Sequence, residues 1–88
     1  MSNVARNSNH LSFKNRDRAI NFGLMVAFMR KKAGMTQEQL AAKAGVSRGY
    51  LGEIEAPNML TNITLEIIFN LADALGITPD ILFQEMKK

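Results

Sequence analysis

The sequence predicts an all-α protein with five helices around one core. Three observations lead to this fold class. Apolar residues recur every three or four positions in separate segments, hydroxyl residues stand where helices would begin, and glycines stand where they would end. No stretch alternates as a half-buried strand would. With 88 residues and 47% hydrophobic side chains, the chain can form one core and not two.

The first helix is expected to run from Ala19 to Ala33. Phe22, Val26 and Met29 recur at helical spacing and form the stripe that would face the core. Gly34 follows directly and can take the positive φ angle that ends a helix.

A second apolar row is expected on another side of this helix, because Ile20, Leu24 and Phe28 are also at helical spacing. A helix that is apolar on two sides usually has two neighbours. Either Leu11 and Phe13 fold back over the row, or the row contacts another subunit or a partner protein. The sequence leaves both interpretations open.

Residues 1–18 are expected to form a flexible basic arm ahead of a folded domain that spans residues 19–86. The arm is rich in Asn and Ser and has no sustained helical period. Such an arm can follow a phosphate backbone, enter a minor groove, or serve only as a solvating tail. Its basic side chains are Arg6, Lys14, Arg16 and Arg18.

The second and third helices are predicted from their caps. Thr36 is placed to cap the second helix, and Gln39 three residues later has capping-box spacing. Gly45 would end that helix, and Ser47 would cap the third. The side chains expected beneath these helices are Leu40, Ala41, Ala44, Leu51 and Ile54.

The last two helices follow a loop that Pro57 forces, since the residue before a proline avoids the helical region. The fourth helix is expected to start at Thr64 and to end at Gly76, and Thr78 would cap a short fifth helix. Ile67 and Phe69 are expected on other faces of the fourth helix. The residues expected to face the core are Leu65, Ile68, Leu71, Ala72, Leu75, Ile81, Leu82 and Phe83.

Composition excludes several classes of function. The chain has no cysteine and its single histidine, His10, lies in the arm, so we expect neither a metal nor a cofactor. No nucleophile, metal set or carboxylate pair has catalytic spacing, so no enzyme is expected. No apolar run approaches the ~20 residues of a membrane span, and the N-terminus is polar, which favours a cytoplasmic location.

Charge is distributed unevenly along the chain. Nine of the eleven Lys and Arg residues lie before Gly49, whereas the segment from Gly49 to Met86 has six acidic residues and no basic one. One part of the molecule could therefore meet phosphate groups while another stays away from them.

Residues 36–55, TQEQLAAKAGVSRGYLGEIE, place two capped helices around a glycine turn. From residue 22 to residue 83 the chain resembles the Cro/repressor-type helix-turn-helix regulators, also called the XRE or lambda-repressor-like family. The resemblance implies a compact five-helix DNA-binding domain, with the helix-turn-helix at helices 2 and 3, that binds double-stranded DNA as a homodimer. The matching residues are Phe22-Gly23, Val26, Met29-Arg30, Gly34-Met35-Thr36-Gln37, Leu40-Ala41, Gly45-Val46-Ser47, Leu51, Ile54-Glu55, Asn62-Ile63-Thr64-Leu65 and Ala74-Leu75-Gly76-Ile77.

Within the third helix, the recognition helix of that family, Arg48 can bond O6 and N7 of guanine or contact a phosphate. Tyr50 can contact thymine methyls, sugars or phosphate, or it can pack beside the next loop. The absence of side chains at Gly49 and Gly52 would permit close approach to the groove floor. The residues expected to contact DNA are Thr36, Gln37, Ser47, Arg48, Gly49, Tyr50, Glu53 and Asn58.

Four further assignments depend on the resemblance. Gln37 would bind phosphate and steady the first residue of the recognition helix, unless it is an ordinary solvated polar residue. Glu53 departs from the family pattern, and its carboxylate would accept from cytosine N4 or repel phosphate. Asn58 is a polar candidate in a loop longer than usual, and an Arg30–Glu55 pair would tie the first helix to the third.

The leading hypothesis is a sequence-specific transcriptional regulator, most simply a repressor, that binds an inverted-repeat operator as a homodimer. The alternative is a protein-interaction module, such as an antitoxin or a regulator's partner, that uses the row of Ile20, Leu24 and Phe28.

Overall fold

The computed structural model of the protein describes residues 12–59 and 61–86, and within them every regular element is a helix. The all-α fold class is therefore confirmed. The fifth helical segment is a short 3-10 helix, so the described residues form four α-helices where five helices were expected. Thr78 precedes it as predicted, but the Thr78 side chain makes no capping hydrogen bond, so that part of the prediction is wrong. The elements are α1 (Phe13–Lys32), α2 (Gln37–Ala44), α3 (Arg48–Glu55), α4 (Leu65–Leu75) and the C-terminal 3-10 helix (Pro79–Phe83).

Helix α1 begins at Phe13, six residues earlier than the expected start at Ala19. Ser12 caps it, since its hydroxyl accepts the backbone N–H of Asn15 at 3.1 Å. The residues between Phe13 and Ala19, which were assigned to the arm, are thus helical, and that part of the prediction is wrong. The prediction missed this cap because residues 13–18, which follow Ser12, show no sustained helical spacing of apolar residues. The rest of the predicted arm, residues 1–11, lies outside the described residues.

The predicted caps of α2, α3 and α4 are confirmed. Thr36 and Gln39 form a complete capping box, with the Thr36 hydroxyl accepting the Gln39 N–H at 3.0 Å and the Gln39 side chain accepting the Thr36 N–H at 2.8 Å. Ser47 and Thr64 each accept a backbone N–H from the first turn of α3 and α4, respectively. Gly45 ends α2 with a φ of 75°, in the left-handed region that favours glycine.

The core joins the inner faces of all five segments, and all ten members of its buried cluster were predicted. Leu65 and Phe83 were expected inside, but they are 68% and 57% exposed. Leu65 occupies the first position of α4, and Ile67, expected on another face, packs against the core. The tighter turn of a 3-10 helix directs Leu82 inward and leaves its neighbour outside. The buried cluster is Phe22, Val26, Leu40, Ala41, Ala44, Leu51, Ile54, Leu71, Ala72 and Leu82.

Helices α1 and α3 cross closely at Gly23. A Cβ atom added there would overlap the backbone carbonyl oxygen of Ile54. Since backbone cannot move aside as a flexible side chain can, only glycine fits the crossing. This close contact fixes the position of α3 relative to α1.

A second tie holds the C-terminal segment against α1. The Asn21 side chain donates to the carbonyl oxygen of Gln84 at 2.7 Å and accepts the backbone N–H of Met86 at 2.9 Å. One amide can serve both because it is donor and acceptor together.

Candidate nucleic-acid interface

The outward face of α3 consists of Arg48, Gly49, Gly52 and Glu53. Arg48, Gly49 and Glu53 are exposed, and Gly52 is half-buried. On a helix with 3.6 residues per turn the four lie within an arc of about 140°. We call this arc the α3 strip, and three of its four residues are exposed in the described part of the chain.

Two glycines leave the centre of the α3 strip as bare backbone. A Cβ atom added at Gly49 would meet no described atom within 4 Å, and one at Gly52 would meet only the Gln37 side-chain oxygen at 3.9 Å. Packing within the protein therefore does not require either glycine. Glycine in a helix costs roughly 1 kcal/mol relative to alanine.

The start of α2 lies beside α3. The Gln37 amide nitrogen donates to a carboxylate oxygen of Glu55, the last residue of α3, at 2.9 Å. This contact was not predicted, because neither a local sequence signal nor the resemblance points to it. It uses one of the two amide hydrogens and leaves the second for another partner.

Glu55 is the centre of a buried network that joins three helices. The Arg30 guanidinium donates to both of its oxygens, at 2.8 and 3.0 Å, which confirms the pair implied by the resemblance. Arg30 also donates to the carbonyl oxygen of Met35 at 2.8 Å. Hydrogen bonding to Glu55 raises the pKa of Arg30. The network orients α3 with respect to α1 and α2.

The hydroxyl groups of Thr36 and Ser47 are both exposed at helix starts. Each hydroxyl oxygen accepts a backbone N–H as a cap, as described above. Each therefore retains its own O–H as a donor. Donors and free N–H groups at a helix start suit a phosphate oxygen.

Tyr50 packs beside the loop that follows α3, which was one of the two roles predicted for it. Its side chain is half-buried against the core, and its hydroxyl donates to the backbone carbonyl of Asn62. Burial, and to a lesser extent the negative charge of Glu53, raises the pKa of Tyr50. With its hydrogen already used, the hydroxyl cannot also donate to a phosphate; a contact between the ring and DNA remains a prediction.

Asn58 is exposed in the loop between α3 and α4. It follows the end of α3 at Glu55 and belongs to neither α2 nor α3. Seven of the eight predicted site residues thus belong to the first turns of α2 and α3 or to the rest of α3, and Asn58 stands apart.

Basic side chains lie toward both ends of α1. Lys14, Arg16 and Arg18 are exposed near its start, and Lys31 and Lys32 are exposed at its end. At 1.5 Å of rise per residue, Lys14 and Lys32 are about 27 Å apart along the helix axis. The uneven charge of the sequence therefore does not become a single basic end in the folded chain.

The predicted second row of α1 is partly open to solvent. Leu24 is 36% exposed, Phe28 is 47% exposed and Ile20 is half-buried. The Lys32 ammonium lies 6.0 Å from the centre of the Phe28 ring. Leu11 and the Phe13 side chain, which were expected as one possible cover, lie outside the described residues.

The described residues provide neither a membrane-spanning helix nor a metal-binding cluster. No helix in this part of the chain is long and apolar enough to cross a membrane. Across residues 12–59 and 61–86, no group of three or more His, Cys, Asp or Glu side chains is arranged to hold a metal ion.

Two known proteins with similar sequences are named as HTH-type transcriptional regulators. An uncharacterized HTH-type transcriptional regulator of Sinorhizobium fredii, y4dJ, is 36% identical over 56 residues, which cover 64% of this chain and 70% of that protein. An uncharacterized HTH-type transcriptional regulator of Bacillus subtilis, YazB, is 41% identical over 61 residues, or 69% of this chain and 86% of that protein.

Two solved structures share the fold. The restriction-modification controller protein C.AhdI from Aeromonas hydrophila has a TM-score of 0.69 and 37% identity, covering 74% of this chain and 96% of its own. The hypothetical transcription factor NHTF from Neisseria has a TM-score of 0.70 and 28% identity, covering 89% of this chain and 86% of its own.

The helix-turn-helix family model matches residues 26–82, which include α2, α3 and α4. Those residues make up more than half of the chain, and the capped pair α2–α3 has the arrangement that defines the motif. This protein belongs to the XRE-type helix-turn-helix family of DNA-binding transcriptional regulators.

Proposed function

We propose that this protein is a repressor that binds an inverted-repeat operator as a homodimer, with α3 in the major groove. The observation that carries the proposal is the exposed α3 strip, which has Arg48 at its start and bare backbone at its centre. A helix can enter the major groove of DNA only if the rest of the protein leaves its outward face accessible.

The residues divide into two tasks. Thr36, Gln37 and Ser47, at the starts of α2 and α3, position the domain through phosphate oxygens. The hydroxyl hydrogens of Thr36 and Ser47 and the second amide hydrogen of Gln37 supply the donors, because the bonds described above do not use them. Arg48 reads a base edge. Asn58 extends the phosphate contacts from the following loop.

Two copies of the chain would supply more base contacts than the α3 of one copy can offer. One copy of α3 has eight residues and offers few base contacts. Two copies related by a twofold axis would enter successive major grooves about 34 Å apart. The similarity to a restriction-modification controller protein is consistent with a regulatory role for a chain of this size.

Selection of bound sites from a random pool of DNA duplexes tests this function directly. We expect the selected sites to be inverted repeats, and Arg48→Ala to weaken both affinity and base preference on the best site. If Arg48→Ala keeps both its affinity and its base preference, Arg48 does not contact a base. Selected sites without twofold symmetry would contradict the homodimer.

A second candidate is a protein-interaction module, such as an antitoxin or a regulator's partner, and the exposure of Leu24 and Phe28 favours it. Titration of salt against random duplex DNA separates the two candidates. Binding through phosphate contacts must weaken steeply as salt rises. No binding at low salt would favour the interaction module.

A further inference from the structure

We infer that α3 reads two base pairs with two side chains, Arg48 on a guanine and Glu53 on a cytosine. The inference rests on the proposed function and deepens it. It turns a departure from the family pattern into a specificity determinant of this protein.

The first step is that the rest of α3 is already engaged. Leu51 and Ile54 are buried in the core, Glu55 holds Arg30 and Gln37, and the Tyr50 hydroxyl is bonded to the loop. The polar side chains of α3 that remain free and exposed in the described chain are Arg48 and Glu53.

The second step concerns the two glycines. Gly52 lies four residues after Arg48, and Gly49 lies four residues before Glu53, so each polar side chain has bare backbone one turn away on its own face. Neither glycine is needed for packing within the protein. Without Cβ atoms the helix backbone can sit closer to the base edges, which lets the short Glu53 side chain reach them.

The third step is chemical. The phosphates that line a groove repel a carboxylate, and a hydrogen bond donated by a base offsets that repulsion. Cytosine presents the N4 amino group as a donor, whereas adenine places its N7 acceptor beside its own amino group. Glu53 therefore favours cytosine over adenine. Arg48 has the opposite chemistry and matches the two acceptors of guanine.

The spacing of the two readers gives a geometric expectation. Glu53 lies five positions after Arg48, which is about 7.5 Å along the helix axis at 1.5 Å per residue. Base pairs are stacked about 3.4 Å apart. For a helix that follows the groove, the two G·C pairs are about two base-pair steps apart in each half-site.

The test is selection from a random duplex pool by the full chain and by Glu53→Gln. A glutamine amide pairs with N6 and N7 of adenine, so the variant should exchange the cytosine preference for adenine at one position in each half-site and keep the guanine preference. On matched duplexes, we expect a reversal of preference of roughly 10-fold at that position. Glu38→Gln is the matched control, because it removes the same charge from an exposed site on α2. It should leave base preference unchanged.

Circular dichroism and thermal unfolding establish that each variant is folded. The inference is overturned if Glu53→Gln selects the same bases as the unaltered chain, whether or not its affinity rises, because Glu53 then acts only on phosphate. If the unaltered chain selects no sequence at all, the proposed function fails and the inference fails with it. The two failures are distinct, since the second appears before any substitution is made.

Discussion

At the scale of single residues, Tyr50 joins the recognition helix to the loop that follows it. Its hydroxyl donates to the Asn62 carbonyl, and partial burial opposes ionisation of the ring. Its raised pKa means that the folded chain holds the phenol proton more tightly than the unfolded chain does. Stability from this group is therefore complete below the ordinary pKa of about 10 and is lost as pH rises through the higher folded value.

We expect the free energy of unfolding to fall as the pH rises above about 10. The decrease should be smaller in Tyr50→Phe, which has no phenol to ionise. Tyr50 is the only tyrosine of the chain, so tyrosinate absorbance titrates it alone. Comparison of the two proteins removes the contribution of lysines that titrate in the same range. A Tyr50 titration at the ordinary pKa in the folded chain would contradict the burial argument.

Glu55 is the second residue with a testable role. Glu55→Gln would leave Arg30 buried without its opposite charge, and breaking a buried pair costs roughly 3–5 kcal/mol. Urea unfolding measures the loss. Glu53→Gln is the control on the same helix, because Glu53 is exposed and should change the unfolding free energy little. Equal losses in the two variants would mean that the network does not stabilise the fold.

At the scale of elements, the helix pair α1–α3 depends on one contact between backbones. Gly23→Ala should lower the unfolding free energy by about 1–3 kcal/mol, since the added methyl group overlaps the Ile54 carbonyl. Gly49→Ala is the same substitution at an open position and should raise it by roughly 1 kcal/mol. Thermal or urea unfolding of both variants checks the opposite signs.

The same pair also tests the α3 strip. If the strip lies against the groove floor, Gly49→Ala should gain stability and lose DNA affinity. A variant that gains stability and keeps its affinity on the selected site would show that Gly49 does not face the DNA.

At the scale of the whole molecule, the number of chains on one operator decides between a dimeric regulator and a single-copy module. We expect two chains for each selected duplex, and binding to a half-site duplex at least about 100-fold weaker, because the second contact is intramolecular only on the full site. Native mass spectrometry counts the chains, and titration with both duplexes gives the affinities. One chain on the full site would contradict the homodimer.

Local signals explain how much of the fold could be predicted. The hydroxyl caps at Thr36, Ser47 and Thr64 and the stop at Gly45 are read within one turn of chain, and all four are confirmed. The start of α1 was missed despite the Ser12 cap, because no apolar period accompanied it. The candidate site was predicted as the starts of the second and third helices, the outward residues of the third helix, and Asn58. The capping bonds of Thr36 and Ser47 were predicted, whereas the bond of Gln37 to Glu55 and that of the Tyr50 hydroxyl to Asn62 were not.

The sequence by itself determined the helix order, the caps at Thr36, Ser47 and Thr64, and the family, because each depends on residues close together along the chain or on a pattern of fixed spacing. Only the tertiary structure decided that Tyr50 bonds to the Asn62 carbonyl, that Gln37 bonds to Glu55, and that Gly23 lies under a neighbouring backbone. Those contacts join residues from different elements, so they exist only when particular helix faces meet. The α3 strip is the part of α3 that takes no part in those contacts.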